Sequence, residues 1–198
     1  MFAGTVGYAF QPDAVKAERL GAPVVTPAAK SCGTCSLCCK VLEIVELEKP
    51  AGAWCPHAKP GKGCSIHGSH PVVCQTFTCL WLRQPVIPDE WRPDRCGFVI
   101  REMPAKLLLI DVDESRPMSW RREPYYGQIK RWAAAARGQG AVIVRVGERA
   151  KAVFEEADIE IGAATQADQF STGYELRDGK LRPVVRVTRA DGVPTEYR

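Results

Sequence analysis

The second half of the chain carries the clearest pattern of apolar and polar positions. Lys106 to Val112 (KLLLIDV) is almost continuously apolar, which predicts a buried strand. Pro124 suits the first position of a helix, and Tyr125, Ile129, Trp132, Ala133 and Ala136 then recur at helical spacing. That helix is expected to run to Arg137 and to stop at Gly138 and Gly140. Ala141 to Val146 (AVIVRV) reads as a second strand, and Ala152 to Phe154 as the start of another. Tyr174–Leu176 and Pro183–Val187 flank a segment whose Asp178-Gly179 pair signals a hairpin turn. Residues 101–198 therefore predict a small α+β or β-rich unit with one main helix.

The first half lacks such periodicity. Residues 1–30 hold Pro12, Pro23 and Pro27 around one short helical possibility, Asp13 to Leu20 with Asp13 as cap, and read as an N-terminal arm. Residues 31–100 contain all nine cysteines, all three histidines and many prolines. A segment with so little pattern needs a source of order other than a large apolar core, and bound metal is the natural one. The expected fold is thus α+β: a metal-stabilised, loop-rich cysteine-cluster region, residues 31–100, followed by the α+β unit of 101–198.

Composition narrows the setting. At 198 residues, 45% hydrophobic and 25% charged, the chain is long enough for a core and close to globular averages. The first residues lack a basic stretch followed by a long apolar one, and no apolar run approaches the roughly 20 residues that span a bilayer. No membrane partner is expected, and a reducing cytoplasm is the predicted setting. There, clustered cysteines serve as ligands more often than as disulfides. The formal charge of +4 hints only weakly at anionic partners. Four thiolates around a divalent ion leave about −2, so two such sites roughly cancel it.

Eight of the nine cysteines fall between positions 32 and 79. The first group is Cys32, Cys35, Cys38 and Cys39 in the run CGTCSLCC. CxxC spacing lets two sulfurs turn toward one ion while backbone amides donate to them, and Gly33 suits the tight turn. Three cysteines at this spacing also match the run that wraps an iron–sulfur cluster in bacterial ferredoxins. Neighbouring residues seldom direct both side chains to one tetrahedral ion, so Cys38 and Cys39 are expected to serve different metals, unless one of them does not ligate. The second group is Cys55, Cys64, Cys74 and Cys79, too irregularly spaced for a zinc finger or ribbon. Eight sulfurs suffice for two four-thiolate zinc sites, or for an iron–sulfur cluster plus one zinc. His57 and His67 lie close enough in sequence to replace a cysteine.

The order of these cysteines resembles the CxxCxxCC (YkgJ-like) cysteine-cluster family of zinc- or iron-chelating proteins. That family follows its CxxCxxCC run with spaced cysteines and a segment of the form CxIYxxRPxxCRxFxC. The corresponding stretch here runs from Cys64 to Cys79 and keeps Ile66, Pro71, Phe77 and all the cysteines. It departs at His67, His70 and Gln75, where the family has Tyr, Arg and Arg. The resemblance covers residues 31–81, about a quarter of the chain, and implies metal chelation. The two absent arginines would have offset thiolate charge or bound an anion.

Other candidates have plainer readings. Cys96 stands apart in DRCGFVI and is expected to be a buried free thiol leading into a strand. His57, His67 and His70 are expected in loops, exposed or capping. Trp120-Arg-Arg and Lys130-Arg131-Trp132 mix basic and aromatic residues as single-strand binders do. The helical pattern, however, makes Trp132 core and Lys130 and Arg131 a solvated face, which disfavours nucleic acid. Asp111, Asp113 and Glu114 are expected as solvated carboxylates at a strand end. GxSxG, P-loop and GxGxxG constellations do not occur.

The leading function is a metal-binding cysteine-cluster protein, holding zinc or an iron–sulfur cluster at one or two sites. Its role would be structural, interaction or metal handling, with a protein partner left open. The alternative is an iron–sulfur-dependent enzyme for methyl transfer or redox chemistry. A related CxxCxxCC cluster occurs in flagellin lysine methylase, and that resemblance is its basis.

Overall fold

The computed structural model describes residues 30–165, 167–189 and 192–198. The arm and its Asp13–Leu20 helix lie outside the described residues.

From Lys30 onward the cysteine-rich segment is built from short pieces. These are α1 (Cys38–Val41), a two-residue hairpin of β1 (Ala58–Lys59) and β2 (Gly63–Cys64), α2 (Val72–Thr76), α3 (Leu80–Arg83) and α4 (Pro93–Cys96). Gly97 closes α4 in the left-handed conformation and leads into β3 (Phe98–Met103). Next come β4 (Leu107–Val112), the eleven-residue helix α5 (Tyr125–Ala135), β5 (Ala141–Val146), β6 (Arg149–Val153) and β7 (Asp158–Ala163). Strands β8 (Gln169–Arg177), β9 (Lys180–Thr188) and β10 (Pro194–Tyr197) complete a mixed α+β chain dominated by strands.

Strands β3 to β7 form one sheet in sequence order. All neighbours in it are antiparallel except β4 and β5, which run parallel and are joined through α5. The apolar run of β4 follows from burial on both faces. Leu108, Ile110 and Val112 join a core with α5, where Ile129, Trp132 and Ala133 are buried. Leu109 faces a second core, beneath Val185 and Val187 of the three-stranded sheet β10-β9-β8. Strand β5 divides likewise, Val142 and Val144 on one side and Ala141 and Ile143 on the other. The first core also receives Leu37, Val41, Leu80 and Trp81, so the cysteine-rich segment is anchored on the sheet through its two ends. Trp91 is the aromatic hinge of that core, edge-on to Phe98 and Tyr125 and 5.3 Å from Trp132.

Several expectations change in detail. Ala152 and Val153 end β6; the chain then turns, Phe154 N–H donating to Ala157 O at 2.8 Å, and returns as β7. The hairpin is longer than predicted, nine residues on each side, with Tyr174 opposite Pro183. Its turn needs positive φ at both central residues, and Asp178 (49°) and Gly179 (70°) supply it. Lys130 is not on a solvated face. Its Nζ pairs with Asp158 Oδ1 at 2.8 Å and donates to Phe154 O at 2.6 Å, fastening α5 to β7.

Asp111 in β4 and Asp113 just after it are likewise committed rather than solvated. Asp111 is buried between two guanidinium groups, with Arg101 Nε 2.7 Å from Oδ2 and Arg145 Nε 2.8 Å from Oδ1. Asp113 accepts from Lys40 Nζ at 2.6 Å and from Ser115 N–H at 3.0 Å. Glu114 remains exposed.

Candidate metal centre

All eight cysteines of the two predicted groups line a single cavity of about 900 Å³. Cys32, Cys35, Cys38 and Cys39 come from the first turn and α1, Cys55 from the turn before β1, Cys64 from β2, Cys74 from α2 and Cys79 from the residue before α3. The sulfurs are free thiols. They are spread around the wall: among the described residues no three Cys, His, Asp or Glu side chains converge as the ligands of one ion do.

Local hydrogen bonds explain why a loop-rich segment reaches this arrangement. Cys35 N–H donates to Cys32 O at 2.8 Å, closing the CxxC turn that Gly33, at φ 51°, permits. Cys55 N–H donates to Cys39 O at 3.0 Å, which seats the second group beside the first. The hairpin then returns Cys64, with Ser65 N–H on His57 O at 2.9 Å. A Cβ on Gly63, whose φ is 92°, would lie 2.9 Å from Gly33 O, so the two cysteine loops approach closely only because this residue is glycine. Arg92 braces the rim, its Nη2 3.0 Å from Thr34 Oγ1 and its Nε 2.7 Å from Asp94 Oδ1.

The electrostatics are those of a thiol cluster with one buried lysine and two half-buried cations near it. Burial pushes the Cys35, Cys74 and Cys79 thiols up, and negative charge on neighbouring cysteines pushes the same way. The adjacent pair behaves differently. A hydrogen bond between Cys38 and Cys39 raises Cys38 and lowers Cys39, so one thiol donates to a sulfur that favours the thiolate. Lys49, only 4% exposed, sits behind Cys39 and Cys55, with Nζ donating to the carbonyls of Lys40 and Leu42. Burial lowers its pKa while the charges of Cys39, Cys55, Cys38 and Cys74 oppose that shift. Burial lowers Lys30 too, opposed first by Asp89 and then by Cys79; it is held over the Trp81 ring at 4.8 Å and donates to Gln84 O at 2.8 Å. Arg101 also lines the cavity, and its Nη2 is buried without a hydrogen-bond partner. These three cations were not picked out as site residues from the sequence. Each lies in an unremarkable local context and joins the cysteines only through the fold.

The histidines line the same cavity, more peripherally. His67 and His70 stack at 5.0 Å, and His70 Nδ1 accepts from Gly68 N–H at 3.2 Å, which leaves that nitrogen engaged. Ile66, Pro71 and Phe77 contribute apolar wall. Gln75, where the resembled family has Arg, donates to His70 O at 2.7 Å.

Cys96 lies outside this set. It is 2% exposed, its Sγ is 3.2 Å from Phe98 O and 3.4 Å from Trp91 O, and burial pushes its pKa up to about 12. Cys96→Ala is expected to lower stability by about 1 kcal/mol in denaturant unfolding and to leave metal content unchanged.

Among the described residues, no helix is long and apolar enough to cross a membrane. Comparison with protein-family models, with curated proteins and with solved structures finds no match to the chain. The class of site therefore rests on its own chemistry. A soft, thiol-rich donor set backed by buried Lys49 fits a thiophilic metal, and Cys32, Cys35, Cys38, Cys39, Cys55, Cys64, Cys74 and Cys79 are the residues that could hold it.

Proposed function

We propose that the protein is a metal-binding cysteine-cluster module of the CxxCxxCC type, in which bound metal orders the segment from Cys32 to Cys79. The single observation that carries this reading is the lining of one cavity by eight sequence-dispersed cysteines, with the ninth excluded from it. Packing alone has no need to gather thiols from several separate turns, helices and a strand at one wall. Buried Lys49 supports the same reading, because a cation behind neutral thiols is costly and one behind thiolates is compensated.

Eight thiols at one cavity wall suffice for two four-thiolate zinc sites or for an iron–sulfur cluster. Four thiolates on zinc lie about 2.3 Å from one point, whereas the thiolates of a polynuclear cluster bind separate irons. The same eight thiols support the second reading, an iron–sulfur enzyme similar to flagellin lysine methylase. The two readings separate on whether the bound cluster can be reversibly reduced and the reduced protein turns over S-adenosylmethionine.

Thiol titration tests the proposal on the native chain. Under anaerobic conditions the eight cavity cysteines are expected to resist alkylation, and to react after addition of a strong chelator. Equal reactivity with and without the chelator contradicts it.

A further inference from the structure

We propose that the cysteine cavity also carries a binding site for a small organic carboxylate, held by Arg101 and Trp81 where α3 packs on β3. Neither residue is among the proposed metal ligands, so the site shares the cavity of the metal-binding reading without depending on it.

Two hydrogen-bond donors mark the place. Trp81 is 8% exposed, and its indole Nε1 is buried with no partner. Arg101 spends Nε on Asp111 Oδ2 at 2.7 Å, while its Nη2 is buried with no partner. Both residues line the cavity. They stand on elements clamped together, since α3 packs on β3 and Arg83 Nη1 pairs with Glu102 Oε2 at 3.0 Å. Buried N–H groups are costly without an acceptor and nearly always have one, so two of them at one wall call for an acceptor between them. Lys30 lies over the Trp81 ring at 4.8 Å and adds positive charge to the same corner.

Charge selects the ligand. Asp111 lies between Arg101 and Arg145, so one carboxylate faces two guanidinium groups and the trio keeps a single positive charge. Arg145 spends Nε and Nη2 on Asp111 and Nη1 on Thr165 O, which leaves Arg101 to present the surplus to the cavity. A monoanion neutralises it. The cavity, at about 900 Å³, has the size of small-molecule pockets, and Leu42, Ile44, Ile66, Phe77 and Leu82 line it beside the thiols. A carboxylate carried on an apolar body therefore fits this wall better than a hydrated inorganic anion.

Ligand-observed NMR on the native chain, purified without oxygen and with its metal, tests the site. Butyrate is the probe and butyramide its neutral counterpart. Butyrate is expected to bind saturably, butyramide not to bind, and inorganic phosphate to bind more weakly than butyrate. Arg101→Met is expected to abolish butyrate binding; Asp111 keeps Arg145, so the variant leaves no buried charge unpaired. Trp81→Phe keeps an aromatic ring, removes the N–H and should weaken butyrate about tenfold, the worth of a hydrogen bond to a charged group. Unchanged circular dichroism and metal content identify folded variants, and Trp81→Phe decides the matter where Arg101→Met does not fold. Butyrate binding equal in wild type and variants overturns the proposal. So does a wild-type chain that binds no butyrate, or one that prefers phosphate. A chain without metal that still binds butyrate through Arg101 and Trp81 overturns the metal reading and leaves the carboxylate site standing.

Discussion

Stripping the metal with a chelator under reducing conditions is expected to open residues 42–78 to protease while the sheet that begins at Phe98 stays resistant. The reason is how little else holds that stretch. Between Leu42 and Thr78 the only buried apolar side chains are Ile44 and Cys55. Its regular structure amounts to a three-residue 3-10 turn (Val45–Leu47), two-residue strands and the five-residue α2, and helices of that length are marginal without tertiary support. Structural metal binding contributes about 10–16 kcal/mol in small zinc domains, far more than such a segment obtains from packing. The flanks should hold, because Leu37, Val41, Leu80 and Trp81 remain in the core against β3. Limited proteolysis followed by mass spectrometry reads the result. Unchanged cleavage after complete metal removal would rule out the structural role.

The second large effect is expected at Asp111, which does not itself line the cysteine cavity. Its two oxygens pair with Arg101 and Arg145, and the side chains of Asp111 and Arg145 are only 6% and 8% exposed. Asp111→Ala leaves two guanidinium groups facing one another with no counter-charge, the situation in which removing one partner costs about 3–5 kcal/mol. Asp111→Asn retains an acceptor and should fall between. Urea unfolding should show a lowered midpoint with an unchanged slope, as expected for lost stability rather than a changed denatured state. A loss below about 1 kcal/mol would mean the arginines find other partners or water.

The legible parts of the fold were those with a local cause. The apolar run of β4, the spacing of Ile129, Trp132 and Ala133 on α5, and the Asp178-Gly179 turn each state their structure within a few residues. Strand β7 has alternating Ile159 and Ile161 but no strong turn signal before it, and β10 is four residues that pair only because β9 is present. The parallel register of β4 with β5 and the separate three-stranded layer are long-range outcomes with no local signature. The site divides the same way. Cysteine spacing marks the eight thiols, since few other uses for CxxCxxCC exist, and it marks Cys96 as separate. It does not mark Lys49, Lys30 or Arg101, which reach the cluster by folding. Nor does it show that Cys79 and Cys38 meet the same apolar core, which depends on how α1 and α3 pack on β3.

The cysteine wall is the central claim, and metal and acid-labile sulfide analysis of anaerobically purified protein, with its visible spectrum, tests it most directly. More than one metal equivalent per chain is predicted, as iron with sulfide and a visible charge-transfer band where the thiols bind a cluster. A folded, colourless chain that carries neither iron nor zinc, with its eight cavity thiols freely titratable, would contradict the account.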